Sequence, residues 1–292
     1  MKGKTVVITG ATSGIGEVAA VELAKMGARI VLIARDKARG DAALRRLRDA
    51  APGISHAIYY ADLLSLAGMK GVAAELAKHE SRIDVLINNA GALFGTRRLT
   101  EDGLEGTFAL NHMAYFVVTN GLRELLIASG VARIINTASG AHRGATLDFD
   151  DLQSGNDFSA MKAYRTSKLC NILFTRELSR QLRDTGVTVN CVRPGFIATR
   201  FGDQSGGLIS WLFWFAKFFA KSQAKGAKTL VYLASSPSAA QMTGQYFYNC
   251  APATPSREAQ DDRMAAQLWE HSKALASPKN DGSPVNPASP IP

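Results

Sequence analysis

Short apolar runs rich in β-branched residues alternate along this chain with longer segments of helical spacing. Thr5–Thr9 (TVVIT) reads as a buried strand, and Val18–Met26 follows with apolar residues at helical intervals. Arg29–Ile33, His56–Tyr60, Asp84–Ile87, Arg133–Thr137, Val187–Cys191 and Gln245–Tyr248 repeat the strand pattern, and a charged helix runs from the second strand to about Ala50. The strands are apolar nearly throughout, so both faces of their sheet should be covered. Strands alternating with helices imply right-handed crossovers and a parallel sheet. The expected fold class is α/β, a doubly wound sandwich around a central seven-stranded parallel sheet, with 1–276 as a single domain. Pro, Ser and Asn crowd the segment 277–292, which is expected to be a disordered tail.

In such a sheet, ligands bind beyond the carboxyl ends of the strands, so the residues just after each strand carry the functional information. After the first strand comes Gly10-Ala-Thr12-Ser13-Gly14-Ile15-Gly16, which leads into a helix. Glycines let a backbone turn tightly and approach a pyrophosphate, and the helix N-terminus behind them favours an anion. The alternative is a glycine-rich turn without a ligand. The strand before it and the helix after it favour a dinucleotide and a Rossmann-like fold.

The second strand runs out into Ala34-Arg35-Asp36. A carboxylate there would hold a ribose diol but repel a 2′-phosphate, whereas a guanidinium pairs with the phosphate. Arg35 therefore points to NADP(H), and the competing reading makes Asp36 the ribose ligand. Asp62 and Leu63 follow the third strand, placed for an adenine, although an Asp there is also a good helix cap. Asn88-Asn89-Ala90-Gly91 follows the fourth, where small residues leave room for a flat ring or a ribose.

Tyr164 and Lys168 lie four residues apart in a helical segment and so share a face. A phenol titrates near pH ~10, too high for efficient proton transfer at neutrality, and an adjacent ammonium favours the phenolate. The pair thus reads as a general acid/base, though this spacing alone is common. Ser139 follows the fifth strand, where its hydroxyl can hold a substrate oxygen. Asn111, among Leu110, Met113 and Phe116 on the helix after strand four, needs a partner if buried.

Composition narrows the alternatives. The net charge of +9 is scattered, with no dense Lys/Arg tract, so nucleic acid is not expected as a partner. The cysteines Cys170, Cys191 and Cys250 are odd in number and far apart, which argues against a disulfide framework and a zinc site; no metal is expected. The first strand begins almost at once, so no signal peptide or N-terminal membrane helix is expected, and a cytoplasmic location follows.

Taken in order, Thr9-Gly-x3-Gly-Ile-Gly16, Asn88-Asn-Ala-Gly91, Asn111, Ser139, Tyr164-x3-Lys168 and Pro194-Gly195 resemble the short-chain dehydrogenase/reductase family from about Lys4 to Cys250. The resemblance implies that Tyr164 exchanges a proton with the substrate oxygen and that Ser139 orients it. It implies that Lys168 binds the nicotinamide ribose and that Asn111 holds a water for a proton relay. After Pro194-Gly195, Ile197 and Thr199 would meet the carboxamide. Ile33–Asp36, Leu169–Leu178 and Gly244–Phe247 are similar to the retinol dehydrogenase-like branch, which is mostly NADP(H)-dependent. The N-terminal anchor common among animal members is not expected here, and Ala138 stands where a serine is frequent.

Leu208–Phe219 (LISWLFWFAKFF) is the most apolar run and is too short to span a bilayer. Three readings stand: a wall of an apolar substrate pocket, a helix buried at a subunit contact (of a homodimer or homotetramer) or a domain contact, and a peripheral membrane contact helped by Lys217 and Lys221. The favoured reading is an NADP(H)-dependent oxidoreductase that interconverts an alcohol and a carbonyl on a lipophilic substrate, such as a retinoid, steroid or long-chain aldehyde or ketone. A non-catalytic NADP-binding regulator and a carbon–carbon double-bond reductase are the alternatives.

Overall fold

The computed structural model describes residues 1–194 and 223–277. The chain opens as β1 (Thr5–Thr9), α1 (Gly14–Lys25), β2 (Arg29–Ala34), α2 (Lys37–Ala50), β3 (Ala57–Tyr60), α3 (Leu66–His79) and β4 (Val85–Asn88). A helical stretch follows in pieces: α4 (Gly106–Phe108), a π-helical turn (Ala109–Met113), α5 (Ala114–Gly121) and α6 (Arg123–Ala128). Then come β5 (Arg133–Thr137), a 3₁₀ turn (Gly140–His142), α7 (Ala160–Gln181) and β6 (Thr188–Val192). The described C-terminal part holds α8 (Gln223–Ser235), β7 (Tyr246–Tyr248), β8 (Ala251–Pro252) and α9 (Asp262–Ala276).

The strands form one sheet in the order β3-β2-β1-β4-β5-β6-β7-β8. β1 through β7 are parallel. The chain moves outward from β1 to β3, then returns to lay β4 on the other side of β1. That reversal opens a crevice at the carboxyl ends of β1 and β4, the place where doubly wound sheets take ligands.

The sheet has eight strands rather than the expected seven, and the extra one is antiparallel. Its cause is local. Asn249 and Cys250 take φ of 51° and 63°, the left-handed pair that a two-residue hairpin requires. Asn tolerates that region and Cys seldom does, so the turn carried only half of the usual sequence signal. Strand boundaries shift by one residue at several ends. Asp84, read as strand, instead sits just before β4, where its carboxylate accepts the Thr5 N–H at 2.9 Å and the Lys4 ammonium at 3.0 Å. It thereby ties the start of β1 to the start of β4.

Both sheet faces are covered, as the apolar strands require. One layer packs α1, α2 and α8 around Val6, Ile8, Ile30, Leu32 and Leu230. The other packs α3, α5 and α7 around Val7, Val31, Met69, Val118 and Leu173. Residues alternating along β1 thus feed opposite cores. α9 lies on α7, and its Trp269 ring stacks 5.9 Å from Phe174 and meets Phe116 edge-on at 4.9 Å. Among the described residues, no helix is long and apolar enough to cross a membrane. The apolar run 208–219 lies outside the described residues, as does the tail beyond Ser277.

Candidate active site

The glycine loop is built for close approach. Gly10 has φ of +68°, and a Cβ there would lie 2.6 Å from the Ala90 backbone, so only glycine fits between β1 and the loop after β4. A Cβ on Gly16 would overlap the Asn89 amide. Asn89 and Ala90 are clasped to β1: both backbone N–H groups donate to Thr9 Oγ1 at 2.9 Å, and Asn89 Nδ2 donates to Gly10 O at 3.1 Å. Asn89 is therefore a brace between the two loops flanking the crevice. Asn88 is buried and donates to Thr119 and Asn136, both at 2.9 Å, which pins β4 to β5.

Thr12, Ser13, Gly14 and Ile15 stand half-buried at the mouth of the crevice. Ser13 is the N-cap of α1 but makes no capping bond with its side chain; its Oγ instead accepts from Arg39 at 3.2 Å. Among the described residues, the first-turn N–H groups of α1 thus have no side-chain acceptor, the arrangement that suits an anion. Arg35 is exposed at the end of β2, and Arg39 lies one helical turn further along. Asp36, the competing ribose ligand, is committed elsewhere: it caps α2 by accepting from Arg39 N at 2.8 Å. Arg98 stacks on the Phe94 ring with its guanidinium carbon 3.3 Å from the centroid. Burial and the charge of Arg35 both hold Arg98 below its usual range. The adenosine end of the crevice is therefore strongly cationic.

Asp62 is not a helix cap. Its Oδ1 accepts from Leu64 N at 3.0 Å, while Ser65 caps α3. Leu63 is buried in the core below it. Both keep their place beside the carboxyl end of β3.

Around the catalytic candidates, four elements meet. Tyr164 and Lys168 stand in the first turns of α7. The buried Lys168 ammonium donates to Thr137 O at 3.0 Å, at the end of β5. It lies 5.7 Å from the Tyr164 ring centroid and 5.9 Å from that of Tyr115. The Ser139 side chain lies beside the Tyr164 phenol and favours its phenolate. Asn111 is fully buried in the π-helical turn, and its side chain pairs with Ala92 through both the backbone N (2.8 Å) and O (2.9 Å). It also donates to Ser167 Oγ at 3.0 Å. Gly91 lies beneath this cluster, where a Cβ would stand 3.0 Å from Asn111 Oδ1 and 3.6 Å from Lys168 Nζ. Pro194 is the last described residue before the gap, and the candidates Gly195, Ile197 and Thr199 lie outside the described residues.

Electrostatics at this cluster differs from the sequence expectation. Burial pushes the Tyr164 phenol up to about 12, against the opposing hydrogen bond from Ser139. Burial likewise pushes the Lys168 ammonium down to about 7. The argument from an adjacent ammonium left out desolvation, which disfavours both charged forms. In the protein alone, Tyr164 is thus a neutral acid at physiological pH.

A stability prediction follows for Lys168. Its folded value of about 7 lies below the ~10.4 of an unfolded lysine. Between those values the unfolded chain binds more protons, so stability rises with pH through that window. Urea unfolding of the wild type and Lys168→Met from pH ~6.5 to ~9.5 should show the wild type gaining up to about 1.4 kcal/mol per pH unit relative to the variant. A constant difference would mean that burial does not depress this lysine.

Several residues escaped the sequence reading. The sequence reading named neither Arg39, whose partner Ser13 comes from the start of α1, nor Arg98, although its ring partner Phe94 lies only four residues before it. Thr137 contributes a backbone carbonyl, shared by Lys168 and Asn171, which no side-chain pattern announces. Tyr115 could have been found, since it lies one turn beyond Asn111 on the same face.

With this geometry in place, comparison with known proteins is informative. Residues 4–206 match the family model for short chain dehydrogenases. Human retinol dehydrogenase 14 is 39% identical over 297 aligned positions, covering 94% of this chain and 87% of the relative. The crystal structure of an uncharacterised protein from Mycobacterium paratuberculosis superposes with a TM-score of 0.76 at 31% identity, covering 94% of both chains. A single-substitution variant of actinorhodin polyketide ketoreductase, solved with NADPH, superposes at 0.66 with 26% identity, covering 83% of this chain and 94% of its own. The chain belongs to the short-chain dehydrogenase family of nicotinamide-dependent oxidoreductases, in its retinol dehydrogenase-like branch.

Proposed function

We propose that the protein interconverts an alcohol and a carbonyl on a lipophilic substrate with NADP(H), through Tyr164, Lys168, Ser139 and Asn111. The observation that carries the chemistry is the convergence of Tyr164, Lys168 and Ser139 at the carboxyl end of β5. The crevice fits a dinucleotide: glycines where a Cβ would fill the approach, and uncapped helix N–H groups for a pyrophosphate. Gly10, Thr12, Ser13, Gly14, Ile15 and Gly16 would hold that group, with Asp62 and Leu63 at the adenine and Asn89, Ala90 and Gly91 along the ribose. Pro194, Gly195, Ile197 and Thr199 remain the proposed contacts of the nicotinamide. When bound, the reduced nicotinamide supplies a hydride.

In the reducing direction, Tyr164 donates its phenolic proton to the carbonyl oxygen as negative charge develops there. Ser139 holds the same oxygen by a hydrogen bond. Lys168, fixed by Thr137, supplies positive charge that stabilises the phenolate left behind. The Asn111 side chain is spent on Ala92 and Ser167, so a relay water at this residue would sit on its backbone carbonyl. A π-helical turn, which breaks the regular backbone bonding, suits that role.

NADP(H) is favoured by Arg35, with Arg39 and Arg98 nearby and Asp36 occupied as a helix cap. The NADPH held by the ketoreductase supports the same choice. The lipophilic substrate rests on the Trp/Phe density of 208–219 and on relatives named for retinol. A peripheral membrane contact of that segment belongs to the same reading.

The test is NADPH oxidation with aldehydes of increasing chain length. Turnover with kcat/KM rising with each added methylene is expected. Tight NADPH binding with no turnover would favour a regulator, and kcat/KM flat with chain length would sink the lipophilic substrate.

A further inference from the structure

His142 is fully buried three residues after Ser139, and both of its ring nitrogens are bonded. Nδ1 lies 2.6 Å from Ser139 O. A carbonyl only accepts, so Nδ1 carries the proton. Nε2 accepts the backbone N–H of Ser256 at 3.0 Å. The two contacts fix one neutral tautomer, and burial holds the imidazole below its usual titration range. The Tyr246 ring meets the imidazole edge-on at 5.2 Å and closes the space around it.

This bridge ends on the residue proposed to hold the substrate oxygen. Ser139 opens the 3₁₀ turn Gly140–His142, and its Oγ accepts from Ala141 N at 3.1 Å. The turn is a single three-residue stretch at the edge of the sheet, too short to be rigid by itself. It is fastened from outside. Besides the His142–Ser256 bond, Arg143 donates to Thr254 O at 2.6 Å. The segment after β8 thus grips both residues that end the turn. The same C-terminal region grips the turn that carries Asn111: His112 Nε2 bonds Ser272 Oγ of α9 at 2.7 Å. Burial pushes His112 down to about 3, so it too is neutral.

We propose that His142 is a positioning residue, which sets the Ser139 hydroxyl by tying its turn to the segment after β8. This rests on the role proposed for Ser139. His142 touches no reacting atom, and its effect passes through the Ser139 carbonyl.

The test is a double-mutant cycle on NADPH-dependent aldehyde reduction, with kcat, KM and NADPH Kd measured for each protein. His142→Phe keeps the ring and removes both bonds. His142→Asn keeps a donor near the Nδ1 position, and His142→Gln keeps an acceptor near Nε2. In the wild-type background, Phe and Gln should lower kcat by roughly ten- to a hundredfold, as small displacements of catalytic groups do, with NADPH Kd nearly unchanged. Asn should recover most of that loss. In the Ser139→Ala background, the Phe and Gln substitutions should cost less than about threefold, because residues acting as one unit are not additive. Equal losses in both backgrounds, or unchanged kcat in His142→Phe, would overturn the proposal. Should the Phe variant fail to fold, the Asn and Gln pair carries the same comparison. An unchanged kcat in Ser139→Ala alone would remove the role of Ser139, and this inference with it. That result is read without touching position 142, so the two failures are distinct.

Discussion

Tyr164→Phe is expected to lower kcat for carbonyl reduction by about 10³-fold, the middle of the range that a positioned general acid contributes. The substitution is clean. The ring remains in the first turns of α7, 5.7 Å from the Lys168 ammonium, so packing and the cation–π contact persist. Only the hydroxyl is lost, with the influence of the neighbouring Ser139 side chain on it. That hydroxyl is neutral at physiological pH because burial pushes it to about 12, so wild-type reduction starts with its acid already loaded. NADPH affinity, read by fluorescence titration, should change by less than about threefold, since transition-state interactions leave ground-state binding alone. A variant that retains more than about a tenth of wild-type kcat would mean that the proton comes from elsewhere. Tyr115, the buried phenol whose ring centroid lies 5.9 Å from Lys168 Nζ, would then be the next residue to replace.

The same residues show what a sequence can and cannot announce. The parallel core of the fold was legible because the strands are apolar on both faces, and that pattern has no other stable home. The glycine loop was legible because glycines between a strand and a helix have a narrow set of uses. Helical periodicity put Tyr164 and Lys168 on one face, and the ordered set of motifs around them gave that common spacing its weight. The desolvation that shifts them was not, because burial depends on what the rest of the chain packs over them. β8 was missed because its hairpin uses Asn-Cys in place of Asn-Gly. Asn111 was read as lying on an ordinary helix, whereas it sits in a π-helical turn with its side chain bonded to Ala92 and Ser167, contributed by a distant loop and helix. Arg39 was passed over since its partner, Ser13, lies 26 residues away. Local patterns carry elements and loops; side chains that act through distant partners need the assembled molecule.

Cofactor choice is the other place where one substitution should have a large effect. Arg35→Ala is expected to raise the Kd for NADPH by roughly ten- to a hundredfold and to leave NADH binding nearly unchanged. The magnitude is that of a hydrogen bond to a charged group, about 1.5–3 kcal/mol. The sign follows from chemistry: NADH has no 2′-phosphate, so a guanidinium aimed at that group has nothing to lose. Arg35 is the residue to replace first because Arg39 is already held by Ser13 and Arg98 by the Phe94 ring, whereas Arg35 stands exposed at the strand end. Arg98 lies close enough to feel the Arg35 charge, so its guanidinium can partly compensate once Arg35 is removed. Arg35→Ala combined with Arg98→Ala should therefore lose more NADPH affinity than the two single losses together. High ionic strength should shrink the wild-type preference and leave the double variant unaffected. Equal weakening of both cofactors by Arg35→Ala would make Arg35 a structural residue of the loop. A wild type that binds NADH more tightly would return the 2′-hydroxyl to Asp36 and require that carboxylate to leave its cap on α2.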